Sequence, residues 1–317
     1  MAVSVDQRRQ AVTASDPGAG AATEIGTMEG LIERSAAAFA AGVPGSPADD
    51  GYFGPASVTW RLSAGLAGPV SGLRALLVQA LHPLAMAGVD QHSDWRADPA
   101  ARYASTLKYL VVTTYGDKAA ADKAARVVRK IHERVRGTDT LTGKPYAAGD
   151  PDLLLWVHAV EVDSVLATTR LFGPEATPAE EDTYVAEMTA AAELIGMPEG
   201  LAPASVAELG AYLERVRPEL RVSPAAAEAA AYLVDPPDLD ESVAELWGEF
   251  RDGVLGSLPG WAAELYGWEP LELSAERREE IRQALGVFDA LTLGEPGVLE
   301  ARQRLELRVR SARAARA

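Results

Sequence analysis

Residues 150–173, DPDLLLWVHAVEVDSVLATTRLFG, decide the fold class of this chain. Apolar side chains recur along the stretch at i, i+3, i+4 and i+7, which is the period of a helix. It opens on Asp150 and Pro151, an N-cap residue followed by proline at the first helical position, and it closes on Gly173, a typical C-cap. The stretch is almost wholly apolar, so we expect a buried helix at the centre of a helical protein.

The same helical period runs through most of the chain, in segments that begin and end on similar signals. These segments are VSGLRALLVQALHPLAMAGV (70–89), DPAARYASTLKYLVVTTYG (98–116) and DKAAADKAARVVRKIHERVRG (117–137). Asp98 and Pro99 repeat the start signal, and Gly116 and Gly137 follow two of the periodic runs as C-caps should. FGPASVTWRL (53–62) is the one short stretch that reads as β-like or extended. The prediction is an all-α fold.

We expect a single large helical domain over residues 29–300, with its core in residues 50–175. Residues 1–28 are rich in Ala, Gly, Ser and Thr without periodicity, so they read as a disordered N-terminal tail. Residues 301–317 are rich in arginine and read as a basic C-terminal tail that starts as a helix and then frays.

Composition excludes several functional classes. The net charge of -16 argues against sequence-independent binding to nucleic acid or anionic membranes, which need a basic surface. The chain has no cysteine, which excludes disulfides, thiolate catalysis, iron–sulfur clusters and cysteine zinc sites. No run of about 18 apolar residues predicts a transmembrane helix, and no signal peptide is evident, so we expect a cytoplasmic protein.

The four histidines, His82, His92, His132 and His158, fall within one quarter of the chain. His82 precedes Pro83, and His92 lies in the polar segment DQHSDWRADP. Helix-end packing or capping explains both of these at least as well as a ligand role does.

His132 is the more informative histidine, although its sequence neighbours in RKIHERVRG (129–137) are charged. Helical spacing places it with Val128 and Val135, beside Val127 and Ile131, on the inward face or at its rim. A buried imidazole must satisfy both ring nitrogens, and coordination of a metal through one of them is one solution.

Two further positions are open to a structural and a functional interpretation. His158 lies in the apolar helix with Glu161 one turn on, either as a core residue bonded to that carboxyl or backbone, or as a ligand. Arg102 and Thr106 are four residues apart and point the same way from one helix, where the arginine could bind a carboxylate. No GxSxG, HExxH, P-loop or GxGxxG motif is present, and no pair of Glu-x-x-His motifs marks a di-iron bundle.

Taken in order, FGPASVTWRL, the HP and HS-x-W strings, R-x-x-x-T, H-x-x-V-x-G and DP-x-LLLW-VHA resemble the oxygenase MpaB family. This family includes the latex-clearing rubber oxygenases of actinomycetes. The resemblance covers about residues 50–270 and is specific in combination.

The resemblance implies an all-helical protein with a globin-like core that binds one b-type haem through a single histidine. The family's R-x-x-x-T motif beside the haem matches Arg102 and Thr106, and the axial histidine about thirty residues later matches His132. Some rubber oxygenases place a distal lysine where this chain has Ser105.

Other residues are expected at the haem pocket or its propionates with less support. These are His158, His92, Arg61, Arg96 and Trp95.

Three hypotheses follow. The first is a cytoplasmic haem b enzyme that oxidises a small hydrophobic substrate with O2 or peroxide, with Arg102 and Thr106 in catalytic roles. The second is a non-catalytic haem carrier or sensor, or a helical protein that binds an apolar ligand. The third is non-haem iron held by His132, His158 and Glu161.

Overall fold

The structure is a computed structural model that describes residues 28–65, 67–237 and 239–315. Within these ranges the chain forms fourteen α-helices, one short 3-10 helix (Arg217–Glu219) and a two-stranded antiparallel hairpin. The first helices and strands are α1 (Met28–Gly42), α2 (Val58–Ser63), α3 (Gly68–Gln79), α4 (Pro83–His92), α5 (Pro99–Tyr115), α6 (Lys118–His132), β1 (Arg136–Thr138) and β2 (Pro145–Ala147). The others are α7 (Pro151–Phe172), α8 (Pro178–Leu194), α9 (Val206–Val216), α10 (Pro224–Val234), α11 (Glu241–Ser257), α12 (Gly260–Leu265), α13 (Ala275–Leu293) and α14 (Val298–Ala314). The all-α prediction is confirmed, whereas the globin-like core stays a prediction.

Helix α7 is the central element, as its apolar sequence predicts. Trp156, Ala159 and Val160 have no exposed surface, and most of the remaining side chains of the helix are buried. Gly173 ends the helix as a C-cap, but Asp150 accepts a hydrogen bond from the Ala147 backbone N–H at 3.2 Å and makes no side-chain cap. The helix is therefore specified chiefly by the burial of its apolar surface.

Two large apolar clusters pack on opposite sides of α3 and α7. One joins them to α8 and α9 through residues such as Leu154, Tyr184 and Leu209. The other joins α3 and the end of α7 to α11 and α13, around Phe250 and Ile281. Because α3 and α7 contribute to both clusters, they form the rigid centre against which the other helices are placed.

Residues 70–89 fold as two helices instead of one. The break falls at residues 80–82, where Pro83 takes the first position of α4 and His82 is its N-cap, accepting at Nδ1 from the Ala85 N–H at 3.5 Å. In the part of the chain that the structure describes, no single helix has the length and apolarity to cross a membrane. Only α3 and α4 taken together pass that test, and they bend by 105° between them.

Two local predictions are corrected. Residues 53–62 contain no strand: Ser57 caps α2 by accepting from the Trp60 N–H at 3.1 Å, and the helix begins at Val58. The hairpin of β1 and β2 was not expected, and Gly137 lies in it instead of capping a helix. A Cβ at Gly137 would lie 2.8 Å from the hydroxyl of Tyr146, so this glycine permits a close contact that sequence alone does not reveal.

The two predicted tails are described only in part. The predicted N-terminal tail, residues 1–28, lies outside the described residues except for Met28. In the predicted basic tail, residues 301–314 are helical and form the last part of α14. Ala301 and Leu305 are buried in a cluster with Val111 and Tyr115, so apolar packing holds this arginine-rich helix onto α5.

Candidate functional site

We infer a cleft between two pairs of helices from the side chains that keep accessible surface there. Helix α3 packs along α7, and α5 packs along α6. Among the described helices, neither α5 nor α6 packs closely along α3 or α7.

The α3–α7 wall of this cleft is marked by exposure in helices that are otherwise buried. Gly72, Leu76 and Gln79 follow one another at i, i+4 and i+7 on α3, and all three retain accessible surface. On α7, Val157 is 36% exposed although it lies mid-helix, and Glu161 one turn later is half-buried. These two stripes share one boundary, because the Gln79 Nε2 donates to the Val157 carbonyl at 2.9 Å.

The opposite wall comes from α5. A Cβ on Gly72 would lie 3.7 Å from the ring of Tyr103, so this tyrosine reaches across to α3. Tyr109, two turns along α5, interacts electrostatically with Glu161 on α7. We call this space the interhelical cleft and define it by Gly72, Leu76, Gln79, Tyr103, Tyr109, Val157 and Glu161.

Arg102 and Thr106 lie on α5 next to the cleft tyrosines, and both keep exposed surface. The Thr106 hydroxyl donates to the Arg102 carbonyl at 3.1 Å, so it can only accept a further hydrogen bond. Desolvation lowers the pKa of the Arg102 guanidinium, although the residue keeps exposed surface. No carboxylate among the described residues pairs with it, so an anionic group of a ligand could do so.

His132 is the last residue of α6 and is half-buried. Its Nδ1 atom is buried and has no hydrogen-bond partner within the described structure. Desolvation lowers the pKa of the imidazole below 6.5, which favours the neutral form that coordinates metals.

The residues next to His132 on α6 differ in their exposure. The buried face of α6 runs through Ala121 and Ala125 toward His132, whereas Val127 and Ile131 are 54% and 53% exposed. Val127 and Ile131, which the helical wheel places beside His132, therefore lie on the outward side of α6. They form an apolar strip at the surface, because they lie about a quarter-turn or more away from the line of the buried alanines.

The end of α6 is held near the first turns of α7. Val135, three residues after His132, packs against a cluster that contains Leu153 and Tyr146. Leu153 is one turn before Val157, which borders the cleft. The segment that follows α6 is therefore packed against the first turn of α7.

His158 is 4% exposed, and burial lowers its pKa to about 4. The core interpretation of this residue expects a hydrogen bond to Glu161 or to backbone. The described structure shows neither bond. No group of three His, Asp or Glu side chains in the described ranges could hold a metal ion. The hypothesis of non-haem iron on His132, His158 and Glu161 therefore has no support from the geometry.

The other expected pocket residues lie elsewhere. The Nε2 of His92 is 3.1 Å from the Arg136 carbonyl, and its ring meets Tyr146 edge-on. Arg61 donates to the carbonyl of Glu175 at 2.7 Å and pairs with Glu180 at 2.6 Å.

The Arg96–Trp95 pair is equally engaged outside the cleft. Arg96 pairs with Asp90 and Glu228 at 2.7 Å and stacks over the Trp95 ring, 4.3 Å from its centroid. Structural partners therefore hold Arg96 as they hold Arg61 and His92.

The sequence analysis did not identify Tyr103 and Tyr109 as cleft residues, and it did not consider Glu161 as part of a cleft wall. Tyr103 and Tyr109 flank the Arg102–Thr106 motif on the same helix, so their phase along α5 is a signal that could have found them. Glu161 was considered only as a partner of His158 or an iron ligand, since nothing local tells which side of an apolar helix faces a cleft.

A comparison with known families gives one match. A family model described as "ER-bound oxygenase mpaB/B'/Rubber oxygenase, catalytic domain" matches residues 60–290, which include all of the cleft residues and His132. No curated protein and no solved structure matches the chain.

Proposed function

We propose, from the premise that this chain belongs to the family of ER-bound mpaB and rubber oxygenase catalytic domains, that it is a haem-dependent oxygenase. The family supports an oxidoreductase that uses a substrate and O2. The finer proposal is that haem b is the cofactor, that dioxygen or peroxide is the oxidant, and that the substrate is a small hydrophobic molecule. The cytoplasmic location of the protein stays a prediction.

The observation that carries the proposal is the state of His132. Desolvation lowers the pKa of its imidazole, and its buried Nδ1 has no hydrogen-bond partner among the described residues. The described residues offer no cluster of additional ligands around any metal position. This donor set fits haem, because the porphyrin supplies four nitrogens and the protein needs to supply only one axial ligand.

Arg102 fits the acidic edge of the same cofactor. The Arg102 guanidinium has no carboxylate partner among the described residues. It would therefore gain a charge-assisted hydrogen bond when a carboxylate such as a haem propionate binds. The Thr106 hydroxyl donates to the Arg102 carbonyl, so its side chain lies against the backbone of α5 next to that arginine.

The position before Thr106, where some rubber oxygenases carry a lysine, is Ser105 in this chain. Its hydroxyl donates to the Ala101 carbonyl at 2.8 Å. Bound haem would supply the oxygen chemistry. Apolar side chains such as Leu76 and Val157 would exclude bulk water from the cofactor site while a small oxidant enters.

The test is the absorption spectrum of protein purified from haem-supplied cells. We expect a Soret band in the wild type and its loss in His132→Ala, because the axial ligand is removed. In His132→Gly, added imidazole should restore the band, which separates ligation from folding. His92→Ala is the matched control and should keep the band, since His92 contacts the hairpin carbonyl. A wild-type protein without a Soret band, or a His132→Ala spectrum equal to wild type, would contradict the proposal.

The second candidate is a non-catalytic haem carrier or sensor. It is favoured by one observation: neither Arg102 nor Thr106 forms an acid–base pair with another side chain in the described structure. Haem bound through His132 without O2-dependent turnover of apolar substrates would favour this alternative over the oxygenase.

A further inference from the structure

Glu161 is an acidic residue in the cleft wall that the proposed haem site does not use. It lies in the middle of α7, one turn beyond Val157, and is half-buried. The described residues give it neither a hydrogen bond nor an ion pair. Asp163, two positions away on the same helix, shows the contrast, because it pairs with Arg74 at 2.7 Å.

The groups that face Glu161 do not neutralise its charge. Tyr109 from α5 and Tyr184 from α8 interact with it electrostatically, and neither hydroxyl has a partner among the described residues. Arg129 acts on Tyr109 but is not among the charges that act on Glu161. Desolvation alone raises the pKa of Glu161 to about 7, so a large share of the molecules carries a neutral carboxylic acid at neutral pH.

A neutral carboxylic acid is both a hydrogen-bond donor and an acceptor. Glu161 keeps accessible surface on α7, one turn from apolar Val157 and one turn from half-buried Val165 along the same side of the helix. A mainly apolar wall with few polar side chains is typical of ligand sites, in which few polar contacts fix the orientation of a mainly hydrophobic molecule.

We propose that Glu161 is a specificity-determining residue of the interhelical cleft, donating a hydrogen bond to a carbonyl or hydroxyl oxygen of an otherwise apolar ligand. This inference rests on the proposed function insofar as it names the substrate class of the same site. The inference excludes two other classes of ligand. A pure hydrocarbon leaves the donor unsatisfied, and an ammonium ligand favours the ionised carboxylate instead.

The experiment uses three probes of one shape and compares their binding to the protein as purified with haem. Benzophenone carries a carbonyl oxygen, diphenylmethane replaces it by a methylene group, and diphenylmethylamine carries a cation. Binding is measured by calorimetry at neutral pH for wild type, Glu161→Gln, Glu161→Leu and the surface control Glu193→Leu. Glu193 is exposed on α8, so this control repeats the chemical change away from the cleft.

We expect the wild type to prefer benzophenone over diphenylmethane by about 3- to 10-fold, as one net hydrogen bond allows. Glu161→Gln should keep the preference, because its amide still donates. Glu161→Leu should lose it and bind diphenylmethane at least as well as the wild type does, while Glu193→Leu should behave as wild type.

Three results would overturn the inference: equal binding of the two neutral probes to wild type, an unchanged preference in Glu161→Leu, or tightest binding of the amine. The Soret band of each preparation reports the cofactor independently. Loss of probe discrimination with a normal Soret band contradicts the role of Glu161 alone, whereas discrimination without any Soret band contradicts the haem proposal alone.

Discussion

At the scale of single residues, α7 carries two titratable groups whose burial acts in opposite directions. Burial lowers the pKa of His158 to about 4 and raises that of Glu161 to about 7, in both cases because the charged form is desolvated. His158 is therefore neutral near pH 7, and Glu161 becomes largely neutral below that pH, whereas Asp163 is paired with Arg74.

This arrangement predicts how stability varies with pH. The pKa of Glu161 is raised above its ordinary value of 4.5, so its stabilising contribution is complete below that value and is lost as the pH rises through about 7. His158, with a pKa depressed below 6.5, contributes stability at higher pH that is lost as the pH falls toward about 4. Glu161→Gln should remove only the first dependence.

We therefore expect the free energy of unfolding of Glu161→Gln, relative to that of wild type, to rise by about 1–3 kcal/mol between pH 4 and pH 8. The measurement is urea denaturation across that range, with the exposed Glu193→Gln as control. Curves for wild type and Glu161→Gln that run parallel would show that Glu161 is ionised normally in the folded protein.

At the scale of helices, two glycines set how closely α5 approaches its neighbours. Gly42 ends α1, and a Cβ there would lie 2.5 Å from Cγ1 of Val111 on α5. At Gly72 on α3 the nearest atom to an added Cβ, in the ring of Tyr103, is 3.7 Å away, an ordinary contact. The packing of α1 on α5 is thus tight, while the cleft side of α5 has room.

The same substitution at the two glycines should have opposite effects on stability. Gly42→Ala forces α1 away from α5 and should destabilise the protein by about 1–3 kcal/mol. Gly72→Ala lies inside a helix without a clash and should be neutral or stabilising by up to about 1 kcal/mol. Thermal or urea unfolding of both variants measures this, and a larger loss in Gly72→Ala would mean that α3 and α5 are closer than described.

At the scale of the whole molecule, Arg74 holds the rigid centre together. Its buried guanidinium donates from Nε to the Ser257 carbonyl at 2.9 Å, from Nη1 to Ser164 Oγ at 2.6 Å and from Nη2 to Asp163 at 2.7 Å. These contacts join α3, α7 and the end of α11. One side chain therefore connects the wall of the cleft to the C-terminal half of the protein.

Arg74→Met should destabilise the protein by about 3 kcal/mol, because Asp163 and two further acceptors lose their donor in a largely buried position. Arg170→Met is the matched control: Arg170 also binds a carboxylate, that of Glu181, but its side chain is 49% exposed. That control should cost less than about 1 kcal/mol. Equal losses in the two variants, measured by urea denaturation, would refute a special role for the buried contact.

The local features of the fold followed from sequence alone. Caps at Asp98 and Gly173, the central helix at 150–173 and the shared orientation of Arg102 and Thr106 depend on residues within a few turns of each other. Local errors arose where a signal had two meanings. Pro83 divides a periodic run into α3 and α4, and Gly137 serves a hairpin contact with Tyr146 instead of a cap.

The sequence by itself therefore determined the helical class, the position of His132 near a helix rim and the family of the chain. Only the tertiary structure decided which helices part to form the cleft, that Val127 and Ile131 face outward, and that Arg61 and His92 have partners elsewhere. It also decided that Glu161 keeps accessible surface on α7 and has no hydrogen bond or ion pair with the residues that the structure describes. The reason is physical: helical period and capping act over a few residues, whereas burial and desolvation depend on groups far apart in the chain.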